Sequence, residues 1–317
     1  MNTKLAVLAA GLMLLGGCAV VRLPGTGTRP VREVTILGEG PDKVLLLDVS
    51  GVLTFRRPWA PPGFPRGESL PARVRADLDR ARKDPRVRAL LVRIDSPGGT
   101  VTASDVVHHE IRSFREDREV PVVAAVVEKG LSGGYYVALS ADEIVALPTA
   151  MVGSVGVFVA KFDASRLMER WGLRSEITKS GAQKDILSPL RPLTPPERET
   201  LRGIVEDLQA RFEETLRTAR PQVSPAEMER VATAAPFTAS QALELHLVDR
   251  IGYLEDAFQA ALTRAGLERG RLVAYRRGES PGTTPYSLAA WLAAAGPGPL
   301  ALDPLWLQEA LAADLWY

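Results

Sequence analysis

Cysteine is nearly missing: Cys18 is the only one in 317 residues. A single thiol excludes an intramolecular disulfide and a Cys-based zinc site. Only three histidines are present, His108, His109 and His246, which leaves little for a His-rich metal cluster. An excess of charge of either sign is missing too, since 39 Lys+Arg against 38 Asp+Glu leave +1. No basic excess points to nucleic acid, and no acidic tail points to a solvating segment. The uncharged apolar run Leu5 to Leu15 is too short to span a bilayer, which takes about 20 residues. Internal repeats and low-complexity tracts are absent. The bulk of the chain is 46% apolar and 24% charged, as expected of a folded protein with a sizeable core. The length allows two domains or one large α/β domain.

The N-terminus, MNTKLAVLAAGLMLLGGC, reads as an export signal. Lys4 supplies the positive start and Leu5 to Leu15 the apolar stretch. One reading is an ordinary signal peptide cut after small residues. The other is a bacterial lipoprotein signal over residues 1–17, with Leu15-Gly16-Gly17-Cys18 as the lipobox and Cys18 as the acylated first residue. The position of the only cysteine favours the second. Acyl chains there would anchor the protein at about 0.8 kcal/mol per buried CH₂. Ala19 after the cysteine, where lipoprotein sorting distinguishes Asp, is compatible with an outer membrane. Residues 18–42 are rich in Gly and Pro and are expected to form a tether.

Past the tether, strand, glycine-rich turn and helix alternate. Val44 to Leu47 reads as a buried strand turning at Gly51. Leu70 to Lys83 has helical periodicity, and Ala89 to Ile94 reads as a strand. Asp95-Ser96-Pro97-Gly98-Gly99 is a tight turn, Thr102 to Arg115 a helix and Val122 to Val127 a strand. Gly130-Leu131-Ser132-Gly133-Gly134 turns into a helix through Ser140, and Glu143 to Leu147 is a short strand. This is the βαβ pattern and predicts a parallel sheet. Trp59 to Pro65 is a Pro-rich loop that reads as a substrate-facing lip or, preferably, as a rigid turn. Helices are expected over Pro195 to Arg220, after Ser224-Pro225, over Ala239 to Leu245 and over Tyr253 to Ala265. A folded domain over 43–270 and a C-terminal extension over 271–317 follow. The extension carries apolar patches at Trp291, Leu305, Trp306, Trp316 and Tyr317.

Ser132 is the first candidate for chemistry. Flanking glycines let a substrate backbone come close, and free N–H groups at a helix start can meet an oxyanion. The plainer reading is that Ser132 caps the helix. The turn at Gly98-Gly99 can aim an N–H into the crevice at the C-terminal strand edge, or can simply be a turn. A serine nucleophile needs a base. None of the three histidines is well placed to serve. Lysine can serve when desolvation brings its pKa down from about 10.4. Lys184 is a candidate, against the plainer reading of a solvated surface charge.

Five segments occur in order: IDSPGG (94–99), GLSGGYYVALSAD (130–142), GSVGVF (153–158), KSGAQKDILSPLRPLTPPER (179–198) and FTASQALELHLVDRIGYLEDA (237–257). Together they resemble the single-domain form of the SppA-type signal peptide peptidases, over about residues 43–265. The resemblance implies a ClpP/crotonase-like α/β fold, with repeated β-β-α units around a parallel sheet and a C-terminal helical segment. It implies a serine/lysine dyad that requires no metal or cofactor. Ser132 matches the nucleophile, Lys184 the general base and Ser154 the hydroxyl that holds the lysine amine. The backbone N–H groups of Gly99 and Gly133 match the oxyanion hole. It also implies a homo-oligomeric ring or dome in which a neighbouring protomer is able to complete the dyad, and a covered, apolar-walled site. The expected function is a lipid-anchored serine endopeptidase of the cell envelope. It would act on signal-peptide remnants or other unfolded polypeptides, and would bind no nucleic acid.

The chain departs from the usual pattern in three places. A lipid at Cys18 replaces a transmembrane anchor, His246 stands where glycine is usual, and Ala234-Ala235-Pro236 replaces Gly-Arg. The last two lie far from the dyad in sequence. The rival readings are a crotonase-fold acyl-CoA enzyme, a Ser-His-Asp peptidase and a non-catalytic envelope scaffold. The first needs a cytoplasmic cofactor. The second needs a histidine about 25 residues after the serine, where Val155 to Phe158 stand. The third is at odds with the joint presence of Ser132, Ser154 and Lys184.

Overall fold

The computed structural model describes residues 31–57, 67–277 and 315–316. Its strands are β1 (Val31–Gly38), β2 (Lys43–Ser50), β3 (Val87–Ser96), β4 (Val122–Leu131), β5 (Glu143–Ala146), β6 (Met151–Gly153), β7 (Phe158–Val159), β8 (Pro236–Thr238), β9 (Arg250–Ile251), β10 (Arg271–Arg277) and β11 (Leu315–Trp316). Its helices are α1 (Leu70–Arg82), α2 (Val101–Arg118), α3 (Gly133–Ala138), α4 (Ser165–Arg170), α5 (Pro195–Ala219), α6 (Pro225–Val231), α7 (Ala239–Glu244) and α8 (Leu254–Arg264). The main sheet runs β1-β10-β2-β3-β4-β5-β9, and β6 pairs with the upper part of β4 and with β8. Strands β2 to β5 are parallel to one another, and β6 is parallel to β4, as the alternating strand–helix pattern requires.

The strands are near-continuous apolar runs because helices cover both faces. Within β2, Leu45, Leu47 and Val49 join the core beneath α1 and α2, while Val44 and Leu46 join the core beneath α8. This is the two-residue alternation of a strand put to use on both sides. Leu90 and Leu91 of β3 divide in the same way and are fully buried. Truncating either to alanine should cost about 2–5 kcal/mol.

Two expectations about the ends need correction. The tether expected over 18–42 is, in its second half, strand β1. It lies antiparallel to β10, which opens the stretch assigned to the C-terminal extension. Val31 packs on one core, and Ile36 and Leu37 on the other. Gly38 and Gly40, at φ +73° and +130°, make the turn into β2 instead of loosening the chain. The folded unit is therefore wider than 43–270. Cys18, residues 1–30, the Trp59 to Pro65 loop and most of 278–317 lie outside the described residues. Among the described residues no helix is long and apolar enough to cross a membrane.

Candidate active site

Strands β2, β3, β4 and β6 all end at one edge, and the turns that follow them meet there. Ser132 joins β4 to α3 with φ 54° and ψ −122°. A helix cap normally has extended backbone and uses its side chain on the second or third N–H. Ser132 does neither, since its side chain makes no cap hydrogen bond. Its backbone has the sharp strand-to-helix geometry that lifts a serine hydroxyl out of the turn. Such a conformation costs about 1–3 kcal/mol and persists only where its surroundings enforce it. Here the Ser132 N–H donates to Gly153 O at 2.7 Å, and its carbonyl accepts from Tyr136 N at 2.9 Å. The residues of α3 that follow are all buried.

The glycines beside Ser132 are required by contact. A Cβ on Gly133 would stand 2.2 Å from Ser104 Oγ and 3.3 Å from the Gly99 nitrogen. A Cβ on Gly134 would meet Ser96 O at 2.6 Å, and one on Gly99 would meet Leu53 O at 2.1 Å. The structure thus brings Gly99 and Gly133 together directly beside Ser132. The turn holding Gly99 is tied down from below. Leu53 N donates to Gly98 O at 2.9 Å, and Thr100 N donates to Leu53 O at 2.8 Å. Ser96, fully buried, donates through Oγ to Gly51 O at 2.7 Å and accepts from Gly98 N at 3.2 Å. The sequence marks Ser96 only as a turn residue and gives no sign of Ser104. Serines inside a turn and a helix carry no signal of their own until the fold sets them against glycines.

Ser154 follows β6 with φ 53°, and its N–H donates to Ala235 O at 3.0 Å. The Ala234-Ala235 departure, remote in sequence, therefore supports the Ser154 turn directly. Ala234 has φ 60° and lies against Gly156, where an added Cβ would come within 2.5 Å of the Ala234 Cβ.

Lys184 is the expected general base. It sits on an exposed loop between α4 and α5, with its N–H donating to Gly181 O at 3.1 Å. Among the described residues its ammonium group has no hydrogen-bond or ion-pair partner, Ser132 and Ser154 included.

Each of the three histidines has a partner other than Ser132. His108 is buried against the Tyr136 ring, with centroids 5.0 Å apart, and burial, helped by Arg112, pushes its pKa down to about 4. His246 pairs with Glu227 at 3.1 Å on the surface, and His109 faces Ser113 at 3.4 Å. Asp95, in the glycine turn, has its carboxyl pushed up by burial and by Glu128.

Fold and site together define an α/β protein with a serine-centred site at the C-terminal edge of its sheet. Residues 115–268, which include Ser132, Ser154 and Lys184, match the family described as peptidase family S49. The Synechocystis sp. protein slr0021, named as a protease, is 40% identical over 180 residues, covering 57% of this chain and 64% of that protein. The chloroplastic serine protease SPPA of Arabidopsis thaliana is 29% identical over 248 residues, covering 77% of this chain and 36% of that one. The chain thus spans less than two thirds of the length of either relative. Among solved structures, the 1510-N membrane-bound stomatin-specific protease aligns with a TM-score of 0.44 at 13% identity, covering 70% of this chain and 85% of that one. The chain is thus similar to peptidase family S49 over residues 115–268, and to proteases, the chloroplastic SPPA among them, over a wider stretch.

Proposed function

We propose that the protein is a serine endopeptidase of the cell envelope, held to a membrane through Cys18, that cleaves unfolded or membrane-released polypeptides. The observation that carries this reading is Ser132, strained at φ 54°, not used as a cap, and flanked by the Gly99 and Gly133 backbones. In the reaction, Lys184 Nζ takes the proton of Ser132 Oγ as the oxygen attacks the scissile carbonyl. The amides of Gly99 and Gly133 receive the oxyanion, and one such donor is worth about 3–4 kcal/mol in the transition state. The leaving amine carries the proton away, and water activated by the same Nζ releases the acyl group. Ser154 holds the lysine amine.

Because the Lys184 amine has no partner among the described residues of one copy, the dyad closes between copies in this reading. Support comes from the arm that bears it. Phe158, Phe162, Leu167, Trp171, Leu173 and Ile177 are exposed, and α4 buries none of its residues. Apolar side chains in such a group mark a contact surface. A second copy seated there would desolvate Lys184 and free its lone pair. The test is cleavage of an unfolded protein by the mature chain. Wild type should cleave, and Ser132→Ala and Lys184→Ala should not. Cleavage by Lys184→Ala at the wild-type rate would refute the dyad.

A further inference from the structure

The loop that presents Lys184 is closed by a four-membered ion-pair chain. Lys179 Nζ donates to Asp185 Oδ1 at 2.6 Å and to Ala182 O at 2.8 Å. Arg191 forks onto Asp185, Nε to Oδ2 at 2.8 Å and Nη2 to Oδ1 at 2.7 Å. The same guanidinium reaches Glu197, Nη1 to Oε2 at 2.8 Å and Nη2 to Oε1 at 2.5 Å. Glu197 is buried in the first turn of α5, where its carboxylate also accepts from Thr194 N at 2.9 Å. Lys161, just past β7, donates to Arg191 O at 2.5 Å.

This chain of contacts reaches the serine side of the site. Helix α5 is set against α3, the helix Ser132 leads into, through Phe212 edge-on to Tyr136 at 5.1 Å. Thr215 Oγ1 donates to Tyr136 Oη at 3.2 Å. Gln209 Nε2 donates to Val155 O at 3.3 Å, one residue beyond Ser154.

We propose that Arg191 is a positioning residue for the general base: its guanidinium, forked between Asp185 and Glu197, pins the 179–191 loop to α5 and sets where Lys184 stands. The inference rests on the serine/lysine reading above. The geometry needs arginine, because only a planar fork can grip two carboxylates at once. Lys184 directly precedes Asp185, so a loop that slides on α5 carries the amine with it. An ångström of misplacement at a reacting group costs on the order of 100-fold in rate. Arg191 and the Thr194 N–H hold the Glu197 carboxyl down to about 2, and Arg191 and Lys179 hold Asp185 low as well. A depressed carboxyl contributes above its ordinary pKa and fails only as pH falls through the folded value. The clamp is therefore intact throughout the neutral range.

The experiment compares Arg191→Gln, Arg191→Lys, Asp185→Asn and Lys184→Ala in the assembled mature protein, reading kcat, KM and oligomer size. Both neutral clamp variants should lose about 10- to 100-fold in kcat, with KM and oligomer size unchanged. Arg191→Lys, which keeps the charge and loses the fork, should stay impaired. Wild-type kcat in Arg191→Gln with an inactive Lys184→Ala would overturn the clamp and leave the dyad standing. Wild-type activity in Lys184→Ala would overturn the dyad itself. If Arg191→Gln fails to fold, Asp185→Asn decides, and a loss confined to KM or to assembly counts against positioning.

Discussion

Ser132 and Ser154 both sit at positive φ, 54° and 53°, a region non-glycine residues rarely enter. Each is held there by a backbone hydrogen bond to a neighbouring turn, and β6 supplies or precedes both bonds. Two strained serines at one sheet edge were visible in the sequence only as hydroxyls among glycines. Glycine supplied the signal because Gly99, Gly133 and Gly134 have no room for a side chain. Gly133→Ala should therefore drive a methyl into Ser104 Oγ and crowd the Gly99 turn beside Ser132. We expect kcat to fall at least ~10-fold with most of the melting temperature retained, read by peptidase assay and thermal melt. His108 gives a second residue-scale prediction. Its folded pKa of about 4 lies below the unfolded value near 6.5, so the unfolded chain binds the proton first. Stability should decline as pH falls from about 6.5 to about 4, by roughly 3 kcal/mol, and level off below. Denaturant melts across that range check it. A flat profile would mean that His108 charges in place.

Among elements, the parallel strands and their crossover helices were readable because buried strands and amphipathic helices leave distinct periodicities. Strand β1 was not. Its flanking glycines and prolines resemble a linker, and its pairing with β10 depends on residues more than 200 positions away. The Lys184 loop was readable as a motif and not as a structure, because its order comes from Arg191 and Glu197 rather than from a hydrophobic pattern. Both departures from the usual glycines fall at left-handed positions, Ala234 at φ 60° and His246 at φ 56°. A residue with a Cβ pays about 1–2 kcal/mol there. Ala234→Gly should raise the melting temperature by a few degrees, as should His246→Gly less the value of its surface contact with Glu227. Calorimetry on the two variants checks this, and a lowered melting point in Ala234→Gly would show that its methyl contact with Gly156 outweighs the strain.

At the scale of the whole molecule, one copy presents the Ser132 turn at its sheet edge and, on an exposed loop, the Lys184 that the proposed reading makes its base. The apolar arm between β7 and α5 joins these facts, since both its exposure and the isolation of Lys184 end if a second copy covers it. Replacing Leu167 and Trp171 together with aspartate should yield smaller assemblies by light scattering and abolish cleavage, while the α/β body keeps its circular dichroism. The most direct test of the account mixes two inactive proteins. Ser132→Ala retains Lys184, and Lys184→Ala retains Ser132. Unfolded and refolded together, they should regain cleavage that neither shows alone, because some interfaces then pair an intact serine with an intact lysine. A mixed assembly that forms and stays inactive would contradict a dyad shared between copies.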